Sequence, residues 1–252
     1  MMVDLLIGFF AALAAGFINA VAGGGTLVTF PMLMALGLPP VAANVTNTVA
    51  LCPGYFGGVY GQRKDFAAQK KRLLSILPVA VLGGIAGGLL LLNTGEKVFS
   101  GIVPYLILLA CVLLAVQVPV KKWMQARTGH HRDGRARRIG AASLLFLAAV
   151  YGGYFGAGVS VIVIAILGLI YDDSLTSLNV LKQAISFSIN ISAAIYFAFS
   201  GNVHWAFALV MMAGAITGGV IGGKYTSRIR PGLLRWIVIG VGCVVAVIYL
   251  VK

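Results

Sequence analysis

The sequence predicts an all-α, polytopic membrane protein composed of two inverted-topology repeats. Hydrophobic residues make up 60% of the 252 residues and charged residues only 10%, and the mean hydropathy is +0.99. A helical span of a membrane needs about 20 apolar residues. Runs of this size lack the alternation of a transmembrane strand. They predict six spans, at residues 41–60, 73–92, 98–118, 178–199, 203–222 and 233–251.

The chain begins with "MMVDLLIGFFAALAAG", which has the apolar core of a signal peptide but carries Asp4 where such a peptide is basic. We therefore expect this segment to remain as a first helix. It is followed by "FINAVAGGGTLVTFP", in which three glycines separate two apolar runs. Glycine costs about 1 kcal/mol in a helix interior relative to alanine. Three in succession therefore predict a break in the helix.

The two halves of the chain are similar to each other. "GFINAVAGGGTLVTFPMLMALGL" and then "AANVTNT" in the first half correspond to "YGGYFGAGVSVIVIAILGLI" and then "SLNVLKQ" in the second. In both, a glycine-rich break precedes 13 apolar residues, at 26–38 and 159–171, and a helix that opens with Asn-Val. We interpret the chain as a duplication of residues 1–118 and 139–252, joined by the basic linker 119–138.

The basic residues predict how each half is oriented. Of the 19 Lys and Arg residues, 16 lie in the loops 63–72, 121–138 and 224–235. The positive-inside rule makes these loops cytoplasmic, in a multi-pass protein of the cell's inner (plasma) membrane. The basic loops occupy opposite positions in the two halves, so we expect the halves to be inverted. The net charge of +13 then reflects topology, and nucleic acid is not an expected partner.

The short apolar runs are too short to cross a membrane. Thirteen residues reach only about 20 Å, against a hydrocarbon core of roughly 30 Å. We favour a hairpin that enters and leaves on one side, which leaves three full crossings in each half. A single broken helix that crosses the membrane is the alternative.

The glycine-rich breaks are the candidate binding site. Irregular backbone at membrane depth must line a cavity or be buried by protein. The breaks at 23–25 and 152–158 would point free N–H groups and helix N-termini into such a cavity, which suits an anion. Close helix packing is the alternative role for glycines, and we expect it for 83–88 and 214–223.

The polar residues of the spans support an anion rather than a cation. All six Asp and Glu residues lie in loops or at segment ends. Lys182 either faces water or an anionic ligand, or snorkels to the membrane surface. No nucleophile–base pair, nucleotide loop or metal spacing is present, so we expect neither an enzyme nor a cofactor. The candidate substrate-binding residues are Asn19, Gly23, Gly24, Gly25, Thr26, Thr46, Asn47, Gly156, Gly158, Ser160, Lys182, Gln183 and Asn190.

Several segments resemble the TauE/SafE family of sulfite exporters, also described as the toluene sulfonate uptake permease group. They are "AGFINAVAGGGTLVTFPMLMALGLPP", "NVTNT", "YGGYFGAG" and "SGNVHWAFALVMMAGAITGGVIGGKYTSRI". The resemblance covers nearly the whole chain and implies a transporter of small anions such as sulfite, thiosulfate, sulfoacetate or related sulfonates. It assigns the family's glycine stretch to Gly23–Gly25 with Thr26, and its polar turn to Thr46 and Asn47. The second half reads "GAGVS" where the family usually has three glycines, which bears on whether both half-sites contribute equally.

The sequence therefore predicts a secondary transporter that binds a small anion between its two halves and moves it by alternating access. An anion channel, or a membrane partner protein that transports nothing, is the alternative. The expected partners are the anionic solute and the lipid bilayer. A homo-oligomer remains open.

Overall fold

The computed structural model describes residues 1–55, 63–126, 135–171, 173–225 and 231–251. Across these ranges the protein is helical and has no strand, which confirms the all-α class. The first half comprises α1 (Met2–Val21), α2 (Thr26–Ala35), α3 (Pro40–Leu51), a 3-10 turn (Cys52–Gly54), α4 (Arg63–Thr94) and α5 (Glu96–Ala126). The second half comprises α6 (Arg135–Tyr154), α7 (Val159–Ile170), α8 (Leu175–Ala198), α9 (Trp205–Tyr225) and α10 (Pro231–Val251).

Six helices in the described part of the chain are long and apolar enough to cross a membrane. Five of them match predicted spans. Of the predicted span 41–60, the structure describes residues 41–55, which are helical, and residues 56–60 lie outside the described ranges. Helix α3 has only 12 residues and ends at Leu51, and a 3-10 turn follows. Pro53 restricts the backbone there and Gly54 favours a turn. Residues 56–62 lie outside the described ranges, and the sixth span is α1.

Helices extend into the segments that were predicted to be basic loops. Helix α4 begins at Arg63, so the described 63–72 segment is helical, and α5 continues to Ala126. Lys, Arg, Gln and Ala are good helix formers, so helices extend past their apolar stretch. The central parts of the other two loops, 127–134 and 226–230, lie outside the described residues.

Helices of one half pack on helices of the other. Helix α1 packs along α9, and α4 packs along α6. Helix α5 packs on α10, and α3 packs on α8. We matched each helix of the first half with its counterpart in the second, from α1 with α6 to α5 with α10. This exchange turns the α1–α9 contact into the α4–α6 contact, and it leaves the α5–α10 and α3–α8 contacts unchanged. The helix contacts therefore have the two-fold pattern expected of a duplication.

Helices α5 and α10 run antiparallel. The thiol of Cys111 in α5 donates to the Ile239 carbonyl at 3.7 Å. Ile107, earlier in α5, lies against Gly242, later in α10, where a Cβ would be 3.7 Å from Ile107 Cγ2. Equivalent helices must run in opposite directions if the halves are inverted, and these two do.

Glycines allow the closest helix approaches. A Cβ on Gly218 of α9 would collide with the Leu13 carbonyl of α1, and one on Gly87 of α4 with the Val150 carbonyl of α6. This confirms the packing role predicted for 83–88 and 214–223. Gly152 and Gly153 are of the same kind. They lie inside α6, so their assignment to the break is wrong.

The outer helices expose apolar side chains. Phe10, Leu82 and Val244 are all exposed, although they lie in apolar helices. Trp123 and Trp205 lie exposed at the ends of their apolar stretches, as interfacial tryptophans do. This surface fits a surrounding of lipid.

Candidate anion-binding site

The first helix break lies between α1 and α2. Gly23 has φ +83° and Gly24 has φ +93°, backbone conformations that residues with a Cβ rarely adopt. The Asn19 side chain stabilises the break, because its Oδ1 accepts a hydrogen bond from Gly25 N at 2.7 Å. The predicted break is confirmed, and Asn19 contributes to its shape.

The second break lies between α6 and α7. Gly156 has φ +81° and Gly158 has φ +78°, so the predicted break is confirmed at these two positions. The Tyr151 hydroxyl donates to the Ala157 carbonyl at 2.7 Å and holds the loop in place. Each break is thus fixed by one side chain from the helix that precedes it.

The two breaks meet. A Cβ on Gly23 would lie 3.6 Å from Ser160 Oγ, at the start of α7. The rings of Phe30 in α2 and Phe155 in the second break form an edge-to-face pair, with centroids 5.4 Å apart. Contacts between the halves therefore bring the N-termini of α2 and α7 to one place.

Helix α5 lies behind both breaks. A Cβ on Gly24 would lie 2.6 Å from Leu114 Cδ1, and one on Gly158 would lie 3.2 Å from Leu113 Cβ. These leucines lie near the middle of the apolar stretch Glu96–Trp123. The breaks consequently lie near half depth in the protein's apolar zone.

Backbone donors are free at both breaks. The N–H groups of Gly24 and Thr26 in the first break donate to no acceptor within the described ranges, and neither do those of Gly158 and Ser160 in the second. Thr26 and Ser160 remain half-buried rather than sealed. A backbone N–H can only donate, so the group that completes such a site is an acceptor, best an anion.

Two predicted residues make contacts within the protein. Thr46 Oγ1 accepts a hydrogen bond from His204 N at 2.9 Å, and Asn47 Oδ1 is bonded to the Thr29 hydroxyl. Both Thr46 and Asn47 are buried. The structure therefore gives these two side chains contacts that join α3 to its neighbours, rather than a free face at the breaks.

The predicted residues of α8 lie at two levels. Asn190 is beside the second break, where its Oδ1 would lie 3.7 Å from a Cβ on Gly156. Lys182 and Gln183 are half-buried and lie eight and seven residues earlier. At 1.5 Å per residue this places them about 10 to 12 Å along the helix from Asn190. The structure thus brings Asn190 to the breaks but leaves Lys182 and Gln183 two turns away.

Asn44 is a site residue that sequence reasoning did not select. Its Nδ2 donates to the Tyr154 carbonyl at 2.8 Å, just before the second break. Its Oδ1 is buried and has no hydrogen-bond partner within the described residues. The Asn-Val pair that opens the equivalent helices was visible in the sequence. The pattern could not show that Asn44 reaches across to the other half.

The candidate site is the place where the starts of the short helices α2 and α7 meet, and it is rich in backbone donors. Within the ranges that the structure describes, no three His, Cys, Asp or Glu residues come together as metal ligands. The available chemistry is hydrogen bonding from backbone N–H groups, aided by the positive ends of two helix dipoles. This arrangement can bind an anion without covalent chemistry.

The fold and the site together define a membrane transporter with paired helix breaks, and comparisons with known proteins agree. The chain belongs to the sulfite exporter TauE/SafE family, whose sequence profile matches residues 8–249. It is 27% identical to "Probable membrane transporter protein YfcA" of Escherichia coli (strain K12), over 98% of this chain and 90% of that protein. It is 30% identical to a "Probable membrane transporter protein" of Haemophilus influenzae, over 94% and 91%. No solved structure matches the chain.

Proposed function

We propose that this transporter moves a small oxyanion or sulfonate across the inner membrane by alternating access. The substrate class would be sulfite, thiosulfate, sulfoacetate or a related organic anion. The observation that supports it is the meeting of the two breaks, which brings the half-buried starts of α2 and α7 together at half depth.

The proposal assigns each break a half-site. The N–H groups of Gly24 and Thr26 would bind the anion from one half, and those of Gly158 and Ser160 from the other. The Asn190 amide would complete the hydrogen bonds. The two halves, 1–118 and 139–252, would rock about this site as inverted repeats, with the basic loops on the cytoplasmic side.

A charge placed at the first break tests the assignment. Asn19→Asp keeps an acceptor for Gly25 N, so the break should still form, but it adds a negative charge beside the free N–H groups. We expect anion uptake into proteoliposomes to fall at least about tenfold, a change of roughly 1.4 kcal/mol in binding. Asn93→Asp, on an exposed residue near the end of α4, adds the same charge far from the breaks and should transport normally.

The assay also separates a transporter from a channel. A panel of sulfite, thiosulfate, sulfoacetate and chloride should identify an anion whose uptake saturates and shows counterflow. A channel would show neither property. Equal uptake by the Asn19→Asp and wild-type proteins at every anion concentration would refute the assignment of the site.

A further inference from the structure

Four aromatic side chains pack together beside the helix breaks. They are Phe30 of α2, Phe99 of α5, Tyr154 at the end of α6 and Phe155 in the second break, which we call the aromatic cluster. Phe30 forms edge-to-face pairs with Phe99 and Phe155, with ring centroids 6.4 and 5.4 Å apart. Phe99 pairs in the same way with Tyr154, at 5.6 Å. No more than 8% of any of these residues is exposed, so the cluster is almost completely sealed from solvent.

The aromatic cluster extends from the breaks to one end of the molecule. Phe155 belongs to the second break, whereas Phe99 lies near the start of α5, 15 residues before the Leu114 that lies behind the first break. This separation corresponds to about 22 Å along a helix. The Tyr154 hydroxyl reaches the same end, where it donates at 3.3 Å to Oγ1 of Thr94, the last residue of α4. We call this end of the molecule the Thr94 end.

Tyr154 is joined to the first half of the chain at three points. Its carbonyl accepts a hydrogen bond from Asn44 Nδ2 at 2.8 Å, its hydroxyl donates to Thr94, and its ring packs on Phe99. These partners lie in three different helices, α3, α4 and α5. If the halves rock about the breaks, all three contacts must separate before the site can open toward the Thr94 end.

The opposite end of the molecule is closed by more exposed contacts. The salt bridge between Arg72 and Asp173 has side chains that are 42% and 27% exposed, and the Gln69 amide donates to the Ser177 hydroxyl nearby. Arg72 lies 22 residues before Thr94 in α4, which is about 33 Å along the helix. Exposed polar pairs contribute little, because water competes for both partners. The structure is therefore shut more firmly at the Thr94 end.

We propose that the aromatic cluster is a gate, which closes the anion site toward the Thr94 end and opens when the two halves move apart. Tyr154 is the positioning residue of this gate, because it adjoins the second break and carries the polar contacts to the first half. Edge-to-face pairs are individually weak, so a cluster of three can separate and form again. The role of the gate in transport rests on the proposed function, but its closure can be tested without transport.

The test measures how fast a cysteine at the breaks reacts with an impermeant maleimide added from the Thr94 end. The full chain carries Ser160→Cys, with the three native cysteines replaced by Ser, in right-side-out and inverted membrane vesicles. In separate chains of the same background, Asn93→Cys and Lys70→Cys lie at exposed positions near the two ends of the apolar part of α4. Their labelling identifies which vesicles present the Thr94 end.

Two substitutions weaken the gate in different ways. Phe99→Leu keeps an apolar side chain but removes two ring pairs, and Tyr154→Phe removes only the hydroxyl contact with Thr94. We expect each to raise the labelling rate from the Thr94 end about two- to tenfold, as loss of a ring pair or a hydrogen bond predicts. Phe10→Leu is the matched control, because it removes an edge-to-face pair with Phe9 that lies within α1. It should leave the rate unchanged.

Unchanged labelling in both Phe99→Leu and Tyr154→Phe would overturn the proposal, and so would an equal increase in Phe10→Leu. An equal increase from both ends would also overturn it, because that result shows general loosening instead of a gate. If Phe99→Leu does not fold, as judged by its thermal unfolding midpoint, Tyr154→Phe decides alone.

Failure of the proposed function is distinguishable from failure of the gate. In the first case, no anion shows saturable uptake by the wild type, while the gate variants still change the labelling rate. In the second case, the wild type shows saturable uptake and the gate variants label as slowly as the control.

Discussion

At Gly23, a substitution can test anion binding separately from folding. Its φ of +83° favours glycine, yet a Cβ there would meet only Ser160 Oγ, at 3.6 Å. Gly24 and Gly25, by contrast, press against Leu114 and the Ala15 carbonyl. A methyl group at position 23 would therefore intrude on the space between the two half-sites without a severe clash.

We expect Gly23→Ala to reduce transport much more than it reduces stability. An alanine at this φ costs about 1–2 kcal/mol. Gly37→Ala is the matched control, because Gly37 has φ +92° and nothing within 4 Å of a Cβ. Both variants should lose a similar amount of thermal stability in detergent, but only Gly23→Ala should lose anion uptake. Equal uptake by the two variants would show that the space beside Ser160 is not used.

The sequence located the breaks but could not sort the glycines within them. Gly156 and Gly158 are left-handed, whereas Gly152 and Gly153, in the same short stretch, are helical and pack on other helices. A sequence cannot distinguish left-handed glycines from packing glycines, because the difference lies in the contacts that each backbone makes. Asn44 was missed for the same reason, since its partner is the carbonyl of Tyr154 in the other half.

At the scale of elements, the glycine seam between α1 and α9 sets how closely the two halves pack. Gly214 and Gly218 on α9 face the carbonyls of Phe9 and Leu13 on α1. Small residues at such seams supply van der Waals contact where lipid offers no hydrophobic drive. The matching seam joins α4 and α6, so each half is held to the other twice.

We expect Gly218→Ala to destabilise the protein by about 1–3 kcal/mol, because its Cβ would collide with the Leu13 carbonyl and push the helices apart. Gly240→Ala on α10 is the control, since no atom lies within 4 Å of its Cβ. That change should be neutral or stabilise by about 0.5–1 kcal/mol. Unfolding midpoints in the same detergent would compare them, and equal effects would argue against a tight seam.

Helix lengths were predicted well where the composition of the segment decides them. They were predicted poorly where packing against neighbouring helices decides them. The spans that became α4, α5 and α10 follow directly from long apolar runs. Residues 41–60 have a similar composition, but the buried α-helix has 12 residues and ends at Leu51, where a 3-10 helix follows at Cys52–Gly54. In a sequence, the apolar residues that pack α3 inside the protein cannot be distinguished from apolar residues that face lipid.

At the scale of the whole molecule, a polar contact near the start of α4 joins the two halves on one side. Arg72 of α4 forms a salt bridge with Asp173, which precedes α8, and its guanidinium lies 4.7 Å from the centre of the Tyr171 ring. If the halves rock, this contact must open whenever the site faces that side. The pair is half-exposed, so it contributes modestly, on the order of 0.2–1 kcal/mol.

We expect Arg72→Asp or Asp173→Arg to favour the state that is open on that side, because each places like charges together. A Ser160→Cys reporter, with Cys52, Cys111 and Cys243 replaced by Ser, should then react about two to five times faster with an impermeant maleimide added from that side. The double charge swap should restore the slower rate. Lys70→Gln, which removes an exposed charge nearby, is the control and should leave the rate unchanged. If the swapped pair labels as fast as either single variant, the bridge does not hold the halves together, and the rocking motion must be controlled by another contact.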